Sequence, residues 1–168
     1  VKKQHESGTT SDVLIGLLVV TLLIILELSY SLSLAVIDLD VSQAGPVVVN
    51  WDSRKTERSV FLSKTAHVNP GHNSLFFMLW SWRDLNKITI RPLVQAADIQ
   101  LHNVVIKRVG EQSAIYNTDE HYKKFRFNNG FSQIKPVADK LFLTVKDTSA
   151  EIKSENKKIL SIKPEYVK

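Results

Sequence analysis

The sequence predicts an all-β fold, an antiparallel β-sandwich preceded by one N-terminal transmembrane helix, and three observations carry that prediction. An apolar run from Val13 to Leu26 lies near the N-terminus. Beyond it, short segments rich in β-branched and aromatic residues recur at near-regular spacing, separated by Gly and Pro, as in a sandwich. No stretch outside the N-terminus sustains a helical period. The chain therefore divides into a tail at residues 1–12, a transmembrane helix at 13–33, a β-sandwich at 34–150 and a charged tail at 151–168.

The first element reads VLIGLLVVTLLIIL, followed by Glu27 and then LSYSLSLAVI up to Ile37. A span of about 20 residues crosses roughly 30 Å of hydrocarbon. A carboxylate near the middle of such a span costs about 2.5 to 3.5 kcal/mol, which the flanking Leu, Ile and Val offset. Glu27 is thus expected at the interface, reaching water, or in contact with a membrane partner. Lys2 and Lys3 precede the run, and no Lys or Arg follows until Arg54, so the positive-inside rule places the N-terminus in the cytoplasm and the domain outside. Ser33-Leu34-Ala35 has the small-x-small character of a signal-peptidase site. The acid at Glu27 and the long polar stretch before Ala35 favour an uncleaved anchor, and either reading exports the domain.

The 168 residues leave about 130 after the tail and span, enough for one domain with a real core. The absence of cysteine excludes a disulfide scaffold and a thiolate metal site. The net charge of +5 is scattered, which argues against a nucleic-acid footprint. The basic and aromatic alternation at Tyr122-Lys123-Lys124-Phe125-Arg126-Phe127 suits single-strand binding by stacking and charge or, more plainly, an amphipathic strand with Phe inside and cations outside.

The strands follow in order. Tyr30 to Val41 alternates in part, so the span is expected to run directly into a first strand. Val47 to Trp51, Ser59 to Leu62, and Ser74 to Trp80 come next, the last after the turn signal Asn69-Pro70-Gly71-His72-Asn73. Lys87 to Pro92 and Ile99 to Arg108 are two more, the second with a break in alternation at Asn103 that suggests a bulge. Phe125 to Phe127 and Leu141 to Lys146 complete the set, and Asp119 to Lys124 suits a turn of helix.

The succession Val47-Val-Val-Asn-Trp-Asp52, Asn69-Pro-Gly-His-Asn-Ser-Leu-Phe-Phe77, Leu85-Asn-Lys-Ile-Thr-Ile-Arg-Pro-Leu93 and Ile99-Gln-Leu-His-Asn-Val-Val-Ile-Lys107 resembles an extracytoplasmic module of bacterial membrane proteins of surface-polysaccharide synthesis, glycosyltransferase-like proteins among them. The resemblance covers about Gly45 to Arg108, with a weaker echo at Lys140 to Ile152. It implies a jelly-roll related to galactose-binding-like domains, and a saccharide or lipid-linked sugar as ligand. Arg91-Pro92 lacks the acid that usually separates those two residues in the module.

Read by themselves, Trp51 and Asp52 suit either a core ring with a turn-capping carboxylate or a sugar-stacking ring with a hydroxyl acceptor. Trp80-Ser81-Trp82-Arg83-Asp84 places Trp80 and Trp82 on one side of an extended segment and Arg83 on the other. These two indoles suit a sugar platform, a belt at the lipid headgroups, or half of a core. The candidate ligand-binding residues are therefore Trp51, Asp52, Trp80, Trp82 and Arg83, and Glu27 is the candidate membrane-partner contact.

Catalysis finds little support. His5, His67, His72, His102 and His121 form no H-x-x-x-H or H-x-H pair, so a metal site would need coincidental convergence, and no metal or cofactor is expected. His67 and His72 flank the Asn69-Pro70-Gly71 turn and are close enough in sequence to approach each other. No P-loop, G-x-S-x-G or G-x-G-x-x-G occurs. Asp38 and Asp40 share one strand face near the expected membrane exit, as a cation site or, more economically, a solvated edge. The expected function is a membrane-anchored, non-catalytic accessory or carbohydrate-recognition domain of cell-envelope polysaccharide assembly. The alternatives are a structural module docking on a membrane protein, and the first span and outer domain of a larger transferase.

Overall fold

The computed structural model describes residues 7–54, 59–81, 84–92, 97–110 and 113–154. Helix α1 (Ser7–Ser31) passes without a linker into β1 (Leu32–Val41). The sandwich continues with β2 (Gly45–Arg54), β3 (Ser59–Val68), β4 (Gly71–Trp80), β5 (Asp84–Pro92) and β6 (Asp98–Arg108). It closes with β7 (Ala114–Tyr116), the single turn α2 (Asp119–Tyr122), β8 (Phe125–Phe127), β9 (Phe131–Val137), β10 (Lys140–Val145) and β11 (Ile152–Ser154). All strand pairs are antiparallel. One sheet has the order β4-β1-β6-β10-β9, with β7 also on β6, and the other the order β3-β2-β5-β11-β8.

Period-two alternation builds both sheets, because successive side chains point to opposite faces. Ala35, Ile37 and Leu39 of β1 and Leu75, Phe77 and Leu79 of β4 face inward from the first sheet. Val47, Val49 and Trp51 of β2 with Ile88 and Ile90 of β5 meet them from the second, in one continuous core. The all-β sandwich with one N-terminal helix is thus the architecture the sequence predicts.

Local boundaries differ where tertiary pairing overrides local pattern. The helix ends at Ser31 rather than at residue 33, because Ser33 already pairs with Leu79 and Arg108 in the ladder. Sandwich pairing runs past residue 150, since Ile152 pairs with Ile90 and with Phe127. Strands β7, β9 and β11 have no counterpart in the sequence reading. β9 is exposed along Ser132 to Val137 and carries Pro136, as an edge strand can.

From Ser11 to Ser31 the helix is long and apolar enough to cross a membrane, and none of its most apolar window packs on the sandwich. Its face is apolar all round, which suits lipid and not a half-buried surface position.

Candidate functional site

Two places of opposite chemistry lie on the outer face of the sheet formed by β4, β1 and β6. The register pairs Leu32 with Trp80, Leu34 with Met78, Val36 with Phe76, Asp38 with Ser74 and Asp40 with His72. Read from the helix outward, these cross-strand pairs change from apolar to polar together. At about 3.3 Å per residue, Asp40 stands about 30 Å along the strand from Ser31. The two acids therefore lie toward the end of β1 remote from the helix.

The helix-proximal end is apolar. Phe76 is 67%, Met78 57% and Trp80 40% exposed, a stripe too apolar for an ordinary outer sheet face. A groove of about 440 Å³ opens beside them, lined by Leu32, Ser33, Leu34, Met78, Lys107, Arg108 and Val109. Beneath it the junction is tightly held. The buried Arg108 donates through Nε to the Ser33 hydroxyl at 2.9 Å and also donates to the Ser81 hydroxyl. Ser81 N–H donates to the Ser31 carbonyl at 2.8 Å, so the last helical residue is tied to the end of β4. Gly110, at φ 77°, lets the turn after β6 pass Tyr30, where an added Cβ would lie 3.3 Å from Tyr30 Cε1.

The distal end gathers Asp40, His72 and His102. His72 Nδ1 lies 2.9 Å from Asp40 Oδ1, and His102 Nε2 lies 2.7 Å from Asp40 Oδ2. The two imidazoles meet edge-on at 5.8 Å between centroids. The hydrogen bond from His102, and more weakly that from His72, holds the Asp40 carboxyl below its ordinary value against the opposing effect of burial. Asp38 is separately held by the Ser74 hydroxyl at 2.7 Å.

Local structure explains the convergence. The β1–β6 register shifts from Asp38 opposite Asn103 to Leu39 opposite Leu101, leaving His102 as the extra residue of a bulge. Leu101 and Val104 both stay buried, so the bulge turns His102 and Asn103 outward between them. Tyr122 braces this bulge from behind, its hydroxyl lying 2.9 Å from the His102 carbonyl, 3.1 Å from that of Leu101 and 3.2 Å from that of Asp139. On the other side, Gly71 at φ 96° makes the turn that leads into His72. Asn73 closes that turn by donating to the Asn69 and Gly71 carbonyls and accepting from Asn69 N–H. A second groove, of about 640 Å³, begins at Asp40 and crosses β6, β10 and β9 past Gln100, Phe142 and Lys135.

The residues singled out from sequence fare differently. Trp51 is 4% exposed and its indole N–H donates to the Trp80 carbonyl at 2.8 Å, so its ring belongs to the core and offers no face to a sugar. Asp52 is buried beside it in the chain and presents no surface acceptor. Trp80 is half exposed on the apolar stripe. Trp82 and Arg83 lie outside the described residues. Glu27 is exposed on α1, one turn before its end. Of the segment read as one amphipathic strand, only Phe125–Phe127 is strand, with Phe125 buried and Arg126 exposed; Tyr122 is buried at the end of α2, and Lys123 and Lys124 are exposed in the turn between.

No metal site was expected, because the histidines lack a local motif. Three strands nevertheless bring two of them to one carboxylate, and His72 meets His102. The available signals were the shared face of Asp38 and Asp40 and the broken alternation at Asn103.

Comparison with protein-family models, with curated proteins and with solved structures finds no match to the chain.

Proposed function

We propose that this chain is a membrane-tethered, non-catalytic recognition module of cell-envelope polysaccharide assembly. In this reading its helix-proximal face holds a lipid-linked sugar. The observation that supports it is the continuity of the apolar groove with the candidate span: Leu32 of the groove directly follows Ser31, the last residue of the span. A lipid chain leaving the bilayer beside α1 meets Leu34, Met78 and Val109 before it meets water, and burying such surface returns about 25 cal/mol per Å². Lys107 on the groove supplies a cation for a linking phosphate. Trp80 supplies the aromatic face for the first sugar. Lys2 and Lys3 before the span support a domain outside the cytoplasm in this reading.

The test uses the full chain in lipid nanodiscs and a polyisoprenoid-phosphate-linked sugar, with the same sugar free of lipid as control. Binding of the lipid-linked form alone is expected. Leu34→Glu and Met78→Glu are expected to weaken it about tenfold or more, since each puts a charge where the chain would lie. Equal binding of the free sugar, or unaltered binding by both variants, rejects this reading.

A second reading is favoured by Glu27, whose exposed carboxylate on an apolar helix suits a partner span. Here Glu27→Leu disrupts a complex recovered in mild detergent, and an unchanged complex counts against it.

A further inference from the structure

We propose that Asp40, His72 and His102 form a binding site for a divalent transition-metal ion, with Zn²⁺ the ion that the donor set fits. This site stands about 20 Å from the apolar groove, counted along β4 from Met78 to His72, and does not depend on the lipid-linked reading.

Donor chemistry is the first argument. Two imidazole nitrogens and one carboxylate oxygen suit Zn²⁺ and its neighbours, whereas Ca²⁺ and Mg²⁺ take oxygen ligands. The chain has no cysteine to compete for the ion. Three protein ligands leave a fourth position for water or an added ligand, the arrangement of an open zinc site. His72 is 62% exposed on the edge strand and Asp40 also lines the 640 Å³ groove, so that position is reachable from solvent.

Geometry is the second. The three ligand atoms all lie within 4.8 Å of one another. Tetrahedral zinc with bonds near 2.0 Å separates its ligand atoms by about 3.3 Å, so the widest pair closes by at most about 1.5 Å. Side-chain rotation of the exposed His72 can supply that. The carboxylate already draws both imidazoles to itself, at 2.9 and 2.7 Å, and a cation takes the place of the two N–H protons that now point at it. Each proton moves to the other ring nitrogen or to solvent.

Support from the backbone is the third. The ligands come from three adjacent strands whose ladder fixes their spacing before any ion arrives. The bulge that turns His102 outward is braced by Tyr122, and the turn that presents His72 is closed by Asn73. Such supporting contacts orient metal ligands and raise affinity.

The test is calorimetric titration of the full chain in detergent, metal-free and without a polyhistidine tag, with Zn²⁺ alone as probe. One equivalent is expected to bind with a Kd at or below about 10 µM. Co²⁺ in its place is expected to give visible absorption bands of low coordination number. His72→Ala, His102→Gln and Asp40→Asn are each expected to weaken binding about tenfold or more, and His67→Ala and His121→Ala to leave it unchanged. His72 is exposed on an edge strand, so its variant keeps the fold and decides the matter if His102→Gln does not. Binding weaker than about 100 µM, or an affinity that His72→Ala leaves intact, overturns the proposal and reduces the cluster to a surface hydrogen-bond network.

Discussion

The helix-proximal and distal ends of the β4-β1-β6 face are built on the same three strands, yet they are held together in opposite ways. At the proximal end the outward residues are apolar and the polar groups are buried beneath them, with Arg108, Ser31, Ser33 and Ser81 joined by hydrogen bonds away from water. At the distal end the polar groups stand outward, and Asp40, His72 and His102 hold one another partly in solvent. A buried polar group left without its partner keeps its full desolvation cost, whereas an exposed one returns to water. Changes to the buried polar groups of the proximal end therefore act on stability and on the tether, and changes to the exposed polar groups of the distal end act chiefly on what is bound.

The largest effect on stability is expected from Arg108→Ala. It strips the Ser33 and Ser81 hydroxyls of their donor and opens a void under the groove, for a loss of about 3 kcal/mol. Denaturant unfolding of the full chain in detergent measures it. The same change should loosen the helix from the sandwich. Because the chain has no cysteine, spin labels on introduced cysteines at Leu28 and Lys64 report their separation without background. A broadened distance distribution is expected, and a distribution as narrow as that of the unsubstituted protein would show that Arg108 does not fix the junction.

Tyr122 braces the distal end from inside, and here the expected loss is smaller. Tyr122→Phe leaves the carbonyls of His102, Leu101 and Asp139 without this donor, at a cost of about 1 to 2 kcal/mol. Burial, helped by Asp139 and Asp119, raises the Tyr122 hydroxyl from 10.0 to about 12. A folded value above the unfolded one means that the folded state keeps its proton longer. This contribution is complete below pH 10 and is lost as the pH rises through about 12. Unfolding between those limits should be steeper in pH for the unsubstituted protein than for Tyr122→Phe, and parallel curves would contradict the assignment.

Most of the sandwich was legible because alternation is strict wherever one face is buried, as in Ile37 and Leu39 or Leu75, Phe77 and Leu79. Strand β9 was not, since an edge strand exposed along six of its seven residues has no buried face to impose a pattern. The direct passage of helix into strand was visible in Tyr30 to Val41, and the bulge in the break at Asn103. What the bulge accomplishes was hidden. Residues 40, 72 and 102 become neighbours only when β1 is known to lie between β4 and β6, and no local spacing encodes that order. As a candidate sugar-stacking ring, Trp51 misled for a related reason. An aromatic at a strand position has the same sequence signature whether it points in, as Trp51 does, or out, as Trp80 does.

A smaller loss, about 1 kcal/mol, is expected from Gly71→Ala, because φ of 96° strains any residue with a Cβ. No atom lies within 4 Å of the added carbon, so strain alone is at work. The turn shifts to relieve it and carries His72 with it. Zn²⁺ affinity should therefore fall in Gly71→Ala although no ligand is removed. Unaltered affinity would mean that His72 is placed by β4 pairing with β1 and not by the turn.

The smallest effect is the most informative about the division of this face. Met78→Glu and His72→Ala change exposed side chains on one strand, about 20 Å apart. Each should alter stability by no more than about 0.5 kcal/mol. Sites so far apart with no shared partner add within about 0.5 kcal/mol, so the double variant should show the sum of the single losses. Binding should divide in the same way, Met78→Glu leaving Zn²⁺ affinity intact and His72→Ala leaving the lipid-linked ligand intact. The shared strands are the physical routes by which the ends could communicate, since β1 carries Leu34 and Asp40, β4 carries Met78 and His72, and β6 carries Lys107 and His102, all in a single ladder. A cross-effect larger than about threefold in either titration would show that occupying one end shifts that ladder at the other, making the two sites one coupled device and ending the separation drawn between them.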